Sequence, residues 1–352
     1  MKALVFYGNK DIRLEEDWPE PVPGPGEVKL RITYSSICAT DIEEWQFGPL
    51  WVAHGEPNPI SGRMTPLILG HEAAGVIVEL GEDATGVSVG DRVAIENVIT
   101  CGACFWCRRG ESAVCPSMSV FGLQDDGGLA EFAKWPADRC IPLPESMPDE
   151  EAPLSEPTTV ALHAVRRSGV SPGDNVAVIG CGTVGLLTLQ VLKASGARVI
   201  AIDRRAEALD LASQLGADDT LNASDGEYDA QVLELTQGIG PDIVFETAGA
   251  KTTPVDAIRI ARRGGKIVLV GIYTATPEID FNLVVGTEKT VIGSVAASSG
   301  EYAMAVRMIA SGQVDVKPLI SAKVPLERAI SDGFERMIQP EKDVFRILVG
   351  SG

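Results

Sequence analysis

The sequence predicts an α/β protein in two parts, a compact β unit followed by a doubly wound parallel sheet. Two contrasting textures and one glycine-rich turn carry this expectation. Residues 1 to about 150 hold short β-branched runs, among them Val28-Lys-Leu-Arg-Ile-Thr33, Gly75-Val-Ile-Val-Glu79 and Asp91-Arg-Val-Ala-Ile95. Turn signals such as Pro23-Gly-Pro-Gly26 separate them, the pattern of an all-β unit. From about residue 157, apolar runs of strand length alternate with stretches of helical period: Asn175-Val-Ala-Val-Ile179, Arg198-Val-Ile-Ala-Ile202, Asp242-Ile-Val-Phe245 and Lys266-Ile-Val-Leu-Val270. Strands that are apolar throughout and separated by helices read as βαβ units in a buried parallel sheet.

The turn lies between the first of these strands and a helix-like run, Leu186 to Lys193. Its sequence is Gly180-Cys-Gly182-Thr183-Val184-Gly185, and an acid at a strand end, Asp203, follows 18 residues after the last glycine. In that context G-x-G-x-x-G predicts a dinucleotide site. Gly180 permits the tight turn, Gly182 lets backbone approach the pyrophosphate, and Gly185 lets the helix, opening at Thr183 and Val184, pack close to the strand. Asp203 would accept from the ribose hydroxyls and repel a 2′-phosphate, which favours NAD over NADP; Arg204 and Arg205 work against that preference.

Beyond Val291-Ile-Gly293 the chain resumes helix and loop. It closes on Asp343-Val-Phe-Arg-Ile-Leu-Val-Gly350, a strand without a partner in the parallel pattern that is expected to return to the first unit. The domains expected are therefore 1–155, 156–294 and a return segment, 295–352. The stretch from Trp45 to Pro66 shows no periodicity and reads as a long loop.

Charge and composition narrow the partners. With 49 acidic against 30 basic side chains among 352 residues, the formal charge of −19 opposes phosphate backbones and anionic lipid. No apolar run approaches the roughly 20 residues of a membrane helix. A cytoplasmic protein acting on a small molecule, with no nucleic-acid or membrane partner, is the expectation. In that reducing compartment seven cysteines read as metal ligands or buried apolar residues rather than disulfides.

Four of them, Cys101, Cys104, Cys107 and Cys115, follow the spacing C-x2-C-x2-C-x7-C. Four thiolates in one knuckle suit a tetrahedral zinc with every position closed by protein, hence a structural site. A [4Fe–4S] cluster is the competing reading, because Cys115 precedes Pro116, although the last gap is longer than in the ferredoxin run.

Three further features stand out in chain order: Cys38-Ala-Thr40-Asp41, Gly70-His71-Glu72-Ala-Ala-Gly75 and Ser155-Glu156-Pro157. Together with Pro25-Gly-Glu-Val28, Val89-Gly90-Asp91-Arg92-Val93, the cysteine cluster and the glycine turn, they resemble the zinc-dependent medium-chain alcohol and polyol dehydrogenases over essentially the whole chain. The resemblance implies a GroES-like β domain holding two zincs and a Rossmann domain binding NAD. It implies Cys38 and His71 as constant ligands of a catalytic zinc, with Glu72 and Glu156 ligating directly or through water. Glu156 stands where the sorbitol and butanediol dehydrogenase branch has glutamate and the alcohol dehydrogenases have cysteine. Thr40 matches the hydroxyl of a proton relay, and Asp41 the carboxylate that orients the histidine. Where the family commonly continues the relay with histidine, this chain has Glu43, which is expected to take the proton. Trp45, Phe47 and Trp51 are expected to wall the substrate pocket, and Arg346 to reach the cofactor pyrophosphate.

The resemblance implies interconversion of a secondary alcohol, diol or polyol with its ketone. An amino-alcohol dehydrogenase of the threonine type shares all the metal positions and is the alternative enzyme. A zinc-free quinone reductase or a non-catalytic binding protein on the same fold is the alternative of another class. Pairing through a sheet edge at Thr290-Val-Ile-Gly-Ser294 would give a homodimer or homotetramer.

Overall fold

The computed structural model describes residues 1–226, 228–298, 300–339 and 344–351. Two compact units divide the chain: Met1–Glu156 with Ser298–Ala310 and Leu319–Gly352, and Pro157–Ala297 with Ser311–Pro318. The stretch 311–318, inside the segment expected to return to the first unit, clusters with the second. An amide pair holds it there: Gln190 Nε2 donates to the Asp315 carbonyl (3.0 Å), and Asp315 N donates to Gln190 Oε1 (2.6 Å). No helix among the described residues is long and apolar enough to cross a membrane.

The first unit is built on the strand Glu27–Ile37. Val28, Leu30 and Ile32 alternate inward at the period of two that one buried face requires. The alternation then stops, and Ser35, Ser36 and Ile37 are all buried where the strand runs into the site. Glu72–Leu80 pairs antiparallel with this strand, and so does Phe132–Pro136. The closing strand Arg346–Gly350 also pairs with it antiparallel, in the register Ile347 opposite Ile37 and Leu348 opposite Ser36. Asp343, which the sequence assigned to the closing strand, lies outside the described residues. Behind the sheet Trp135 is fully buried, edge-on to Phe121 at 5.0 Å, with its Nε1–H donated to the Glu96 carbonyl at 2.9 Å. The indole thus fills the core without stranding its polar atom.

The second unit carries a six-stranded parallel sheet in the order Asp219–Asn222, Arg198–Asp203, Asn175–Ile179, Ile243–Glu246, Lys266–Leu269 and Thr290–Gly293. The direction of winding reverses between Asn175–Ile179 and Ile243–Glu246, so the crevice at their carboxyl ends is the switch point where such sheets bind ligands. Ile179 leads directly into Gly180, which puts the glycine turn at that point.

One local expectation fails. The helix Ala39–Phe47 continues through Trp45 and Phe47, which the sequence reading left in a loop. Trp45 is half-buried and packs edge-on against Phe334 with ring centroids 5.8 Å apart, against the core that includes Leu4, Phe6, Ile37 and Leu67. The helix ends at Gly48, whose N–H bonds the Glu44 carbonyl at 2.8 Å. A Cβ at Gly48 would lie 2.3 Å from that carbonyl oxygen, so only glycine fits the stop. A nine-residue helix whose buried residues are Asp41, Ile42 and Glu44 prints no apolar period.

Candidate active site and metal centres

Cys38 follows directly from the strand Glu27–Ile37 and caps the helix Ala39–Phe47. Asp41, three residues on, accepts from Cys38 N–H at 2.8 Å, which fixes the turn and aims the carboxylate inward. Asp41 Oδ1 lies 3.4 Å from His71 Nδ1 and is fully buried. His71 is positioned by Gly70, whose φ of +94° and surroundings exclude a side chain: a Cβ there would meet Leu129 and Ser35 Oγ at 2.7 Å.

The strand Glu72–Leu80 begins at the next residue, with Glu72 opposite Ser36. The Ser36 hydroxyl donates to one Glu72 oxygen, and Arg346 Nη2 donates to the other at 2.8 Å. Three neighbouring strand ends thus bring Cys38, Glu72 and Arg346 together. The ligand atoms of Cys38, His71 and Glu72 lie within 4.8 Å of one another. Glu156, at the start of the helix Ser155–Ser168, stands outside that tight group and accepts from Asn97 Nδ2 at 3.0 Å.

The electrostatics of this cradle ask for a cation. Cys38, Asp41, Glu72 and Glu156 can each carry a negative charge, and among the described residues Arg346 is the fixed positive charge held beside Glu72 and Cys38. Burial pushes the Glu156 carboxyl up to about 7; His71 opposes that rise, Glu72 adds to it, and Asn97 and Arg346 pull against it. Burial by itself would lower His71, yet the charges of Asp41 and Cys38 and their hydrogen bonds hold it well above its ordinary value. The Glu156 shift thus reports burial first, and the His71 shift its anionic neighbours. A thiolate, an imidazole and one of two carboxylates, Glu72 being already oriented by Ser36 and Arg346, form a donor set that fits zinc with a position left open.

Arg346, expected at the cofactor pyrophosphate, also takes part in the cradle. Its guanidinium is buried, with Nη2 on Glu72 and 3.5 Å from Cys38 Sγ. Thr40 Oγ1 is 3.8 Å from Cys38 Sγ, and Glu43 is half-buried one turn further along the same helix. Of the aromatic side chains expected at the pocket, Trp45 is half-buried against the core, whereas Phe47 and Trp51 are 63% and 47% exposed. Sequence reasoning missed Asn97 and Ser36, which carry no motif. It also missed Glu44, a fully buried carboxylate that accepts the backbone N–H groups of Leu50 (2.9 Å), Trp51 and Val52 (3.2 Å).

In the cysteine lobe the sulfurs of Cys101 and Cys107 are 4.0 Å apart, Cys104 and Cys115 3.9 Å, and Cys115 and Cys101 3.6 Å. Four sulfurs about 2.3 Å from one ion at tetrahedral angles are about 3.8 Å apart, so the spacing is that of a single zinc. Four irons at the corners of a cluster would hold their thiolates much further apart, and the iron–sulfur reading is set aside. Backbone N–H groups of Ala103 and Cys104 bring Cys101 down to about 6, which favours the thiolate a metal needs.

In the second unit Gly180 has φ +97°, and a Cβ on Gly185 would lie 1.8 Å from the Gly180 carbonyl oxygen, whereas one on Gly182 would meet nothing within 4 Å. The helix Thr183–Ala194 therefore packs tightly on the turn at Gly185 and leaves open space at its N-cap, Gly182. Asp203 accepts from Cys181 N–H at 2.6 Å and from Arg205 N–H at 2.9 Å, while Arg204 is exposed.

Residues 24–145 match the alcohol dehydrogenase GroES-like domain family, and residues 183–311 match the zinc-binding dehydrogenase family. The chain is 32% identical to (R,R)-butanediol dehydrogenase of Neisseria gonorrhoeae over 99% of both chains. It is 36% identical to human sorbitol dehydrogenase, covering 95% of this chain and 92% of that one. The crystal structure of 2R,3R-butanediol dehydrogenase from Bacillus subtilis superimposes with a TM-score of 0.93 at 32% identity, over 100% of this chain and 99% of that one. Two metal centres, a dinucleotide turn and full-length relatives converge on one conclusion: the chain belongs to the zinc-dependent medium-chain dehydrogenases, and it is an oxidoreductase.

Proposed function

We propose that this chain oxidises a secondary alcohol bearing a neighbouring hydroxyl, a diol or polyol, to the ketone, with NAD as the hydride acceptor. The observation that carries the reading is the gathering of Cys38, His71 and Glu72, with Glu156 beside them, in one buried anionic cradle. Cys38, His71 and a carboxylate from Glu72 or Glu156 would hold the catalytic zinc, and Cys101, Cys104, Cys107 and Cys115 the structural one. When bound, zinc supplies the Lewis acidity that lets an alcohol hydroxyl release its proton near neutral pH.

The protein's own groups do the rest. Asp41 orients His71, while Ser36 and Arg346 fix the direction of Glu72. Thr40 would receive the hydroxyl proton and pass it to Glu43, which shares its helix face at a spacing of three. Burial, with the charge of Glu44, raises the Glu43 carboxyl, making it a better proton acceptor than an exposed acid. Gly180, Gly182 and Gly185 support pyrophosphate binding with Thr183 and Val184, and Asp203 supports NAD through the ribose hydroxyls. Phe47 and Trp51 have the exposure needed to line a substrate pocket.

Among the described residues Thr290–Gly293 pairs on one side only, with Lys266–Leu269, which supports assembly into dimers or tetramers through that edge. All seven cysteines are free of disulfides, in keeping with a cytoplasmic compartment. A screen of NAD-dependent oxidation across vicinal diols, sugar alcohols, simple secondary alcohols and threonine tests the proposal. Turnover highest with a diol or polyol supports it; threonine as the best substrate replaces it with the amino-alcohol reading.

A further inference from the structure

The carboxyl end of the strand Ile243–Glu246 carries a fully buried carboxylate that the chemistry above does not use. Val244 and Phe245 before it are apolar, as a strand covered on both faces requires, and Glu246 breaks that run where the strand meets the crevice. Four donors from three segments converge on it. Oε1 accepts from Ala248 N–H and Gly249 N–H, both at 2.9 Å, and from the Thr253 hydroxyl at 2.7 Å; Oε2 accepts from the Tyr273 hydroxyl. Burial first, and then the bond to Glu246 and its charge, raise the Tyr273 phenol above its ordinary value, so it stays a donor.

The segments joined in this way also touch each other and the glycine turn. A Cβ on Gly271 would lie 2.6 Å from Glu246 Oε2 and 2.7 Å from Gly249 Cα, and one on Gly249 would run into the Ile272 carbonyl oxygen. On the other side Thr247 Oγ1 donates to the Gly180 carbonyl at 2.7 Å, and a Cβ on Gly180 would lie 2.8 Å from Ala248 N. One chain of contacts therefore runs from the dinucleotide turn through residues 247–249 and Glu246 to residues 271–273.

The order of the sheet says which part of a dinucleotide these contacts serve. Asp203, at the end of Arg198–Asp203, marks the adenosine side of the switch point. The strands on the opposite side, Ile243–Glu246 and Lys266–Leu269, then underlie the second mononucleotide, the nicotinamide and its ribose. The loops that follow those two strands are the ones Glu246 ties together. An apolar side chain at 246 would avoid the cost of burying a charge, but it would leave the amides of the first loop and the hydroxyl of the second without their shared acceptor.

We propose that the contact between Glu246 and Tyr273 is a latch that holds the nicotinamide half of the dinucleotide site in register with the pyrophosphate turn. Tyr273 acts through Glu246 and is a positioning residue. This deepens the dehydrogenase reading above, on which it rests for the identity of the cofactor.

The test is calorimetric titration of the zinc-loaded, full-length enzyme with NADH and with ADP, which fills only the adenosine and pyrophosphate positions, for the wild type, Tyr273→Phe and Glu246→Gln. The emission of bound NADH is read alongside, because it reports the surroundings of the nicotinamide ring. Tyr273→Phe loses a hydrogen bond to a charged group, which should weaken NADH roughly 5- to 30-fold and change ADP by less than about 2-fold, with the emission moved toward that of free NADH. Glu246→Gln keeps an acceptor for Ala248, Gly249 and Thr253 and replaces the charge-assisted bond to Tyr273 by a neutral one. It should move the same readouts in the same direction by a smaller factor, and it decides the matter if Tyr273→Phe does not fold. NADH affinity unchanged in both variants overturns the latch. Equal weakening of NADH and ADP overturns it too, since that is the behaviour of a side chain that merely stabilises the unit. If the variants show the contrast between NADH and ADP but the wild type forms no NADH from any alcohol, the dehydrogenase reading fails and the latch stands.

Discussion

Removing the Arg346 guanidinium should expose how much buried charge the catalytic cradle contains. Nη2 sits 2.8 Å from Glu72 Oε1 and 3.5 Å from Cys38 Sγ, with Arg346 4% exposed and Glu72 fully buried. Salt and solvent screen such a pair little, and breaking a buried pair by deleting one partner costs about 3–5 kcal/mol, because the other charge is left uncompensated. Arg346→Met keeps the length of the side chain and removes the charge. At about 2–4 °C per kcal/mol for a unit of this size, Tm should fall by roughly 6–20 °C. Arg346→Lys, which restores a charge but not the two-pronged geometry, should recover part of that loss. Differential scanning calorimetry of the three proteins at pH 7 measures it. A fall of under about 2 °C in Arg346→Met would contradict this, because the contact between Arg346 and Glu72 could not then be holding the cradle together.

Three other predictions address separate parts of the molecule. Cys101→Ser should reduce the metal content to one zinc per chain and lower thermal stability while leaving the cradle's zinc in place, as read by elemental analysis and a thermal scan; two retained zincs would contradict the four-sulfur site. In Glu43→Ala the acid limb of the pH–rate profile should move, whereas an unchanged profile removes Glu43 from the relay. Burial raises the Asp125 carboxyl to about 6 from an ordinary 3.8. Its folded form therefore holds a proton that the unfolded chain has already released, and the native state loses stability as pH rises from about 4 to 6. Residual solvent contact discounts the effect to roughly 1–2 kcal/mol. Asp125→Asn should abolish this slope and raise Tm at pH 8; an unchanged slope in urea titrations across pH 4–8 would show that Asp125 is not its source.

The second unit was legible because its strands are buried on both faces. The run Asn175–Ile179 is apolar throughout and ends in glycines that only a tight turn explains, so strand, turn and helix follow from local sequence. The cysteine lobe was legible for a similar reason, since its four ligands lie within fifteen residues. Glu156 and Arg346 are of another kind. Their partners lie up to 308 residues away in the chain, and nothing local distinguishes an arginine on a cofactor from an arginine on Glu72. The register of Arg346–Gly350 against Glu27–Ile37 is what brings Arg346 to Glu72. Trp45 was misread because the loop was inferred from missing periodicity, which a nine-residue helix cannot supply. Tyr273 left no local signal, because its partner Glu246 lies 27 residues away in the chain.

The account stands or falls on which metal does the chemistry. In Cys38→Ala, elemental analysis together with alcohol-dependent NADH formation and NADH binding should give one zinc per chain, turnover reduced at least about a thousandfold, and cofactor affinity within a few-fold of the wild type. Undiminished turnover, or two zincs retained, would contradict it and move the reaction away from the cradle of Cys38, His71, Glu72 and Glu156.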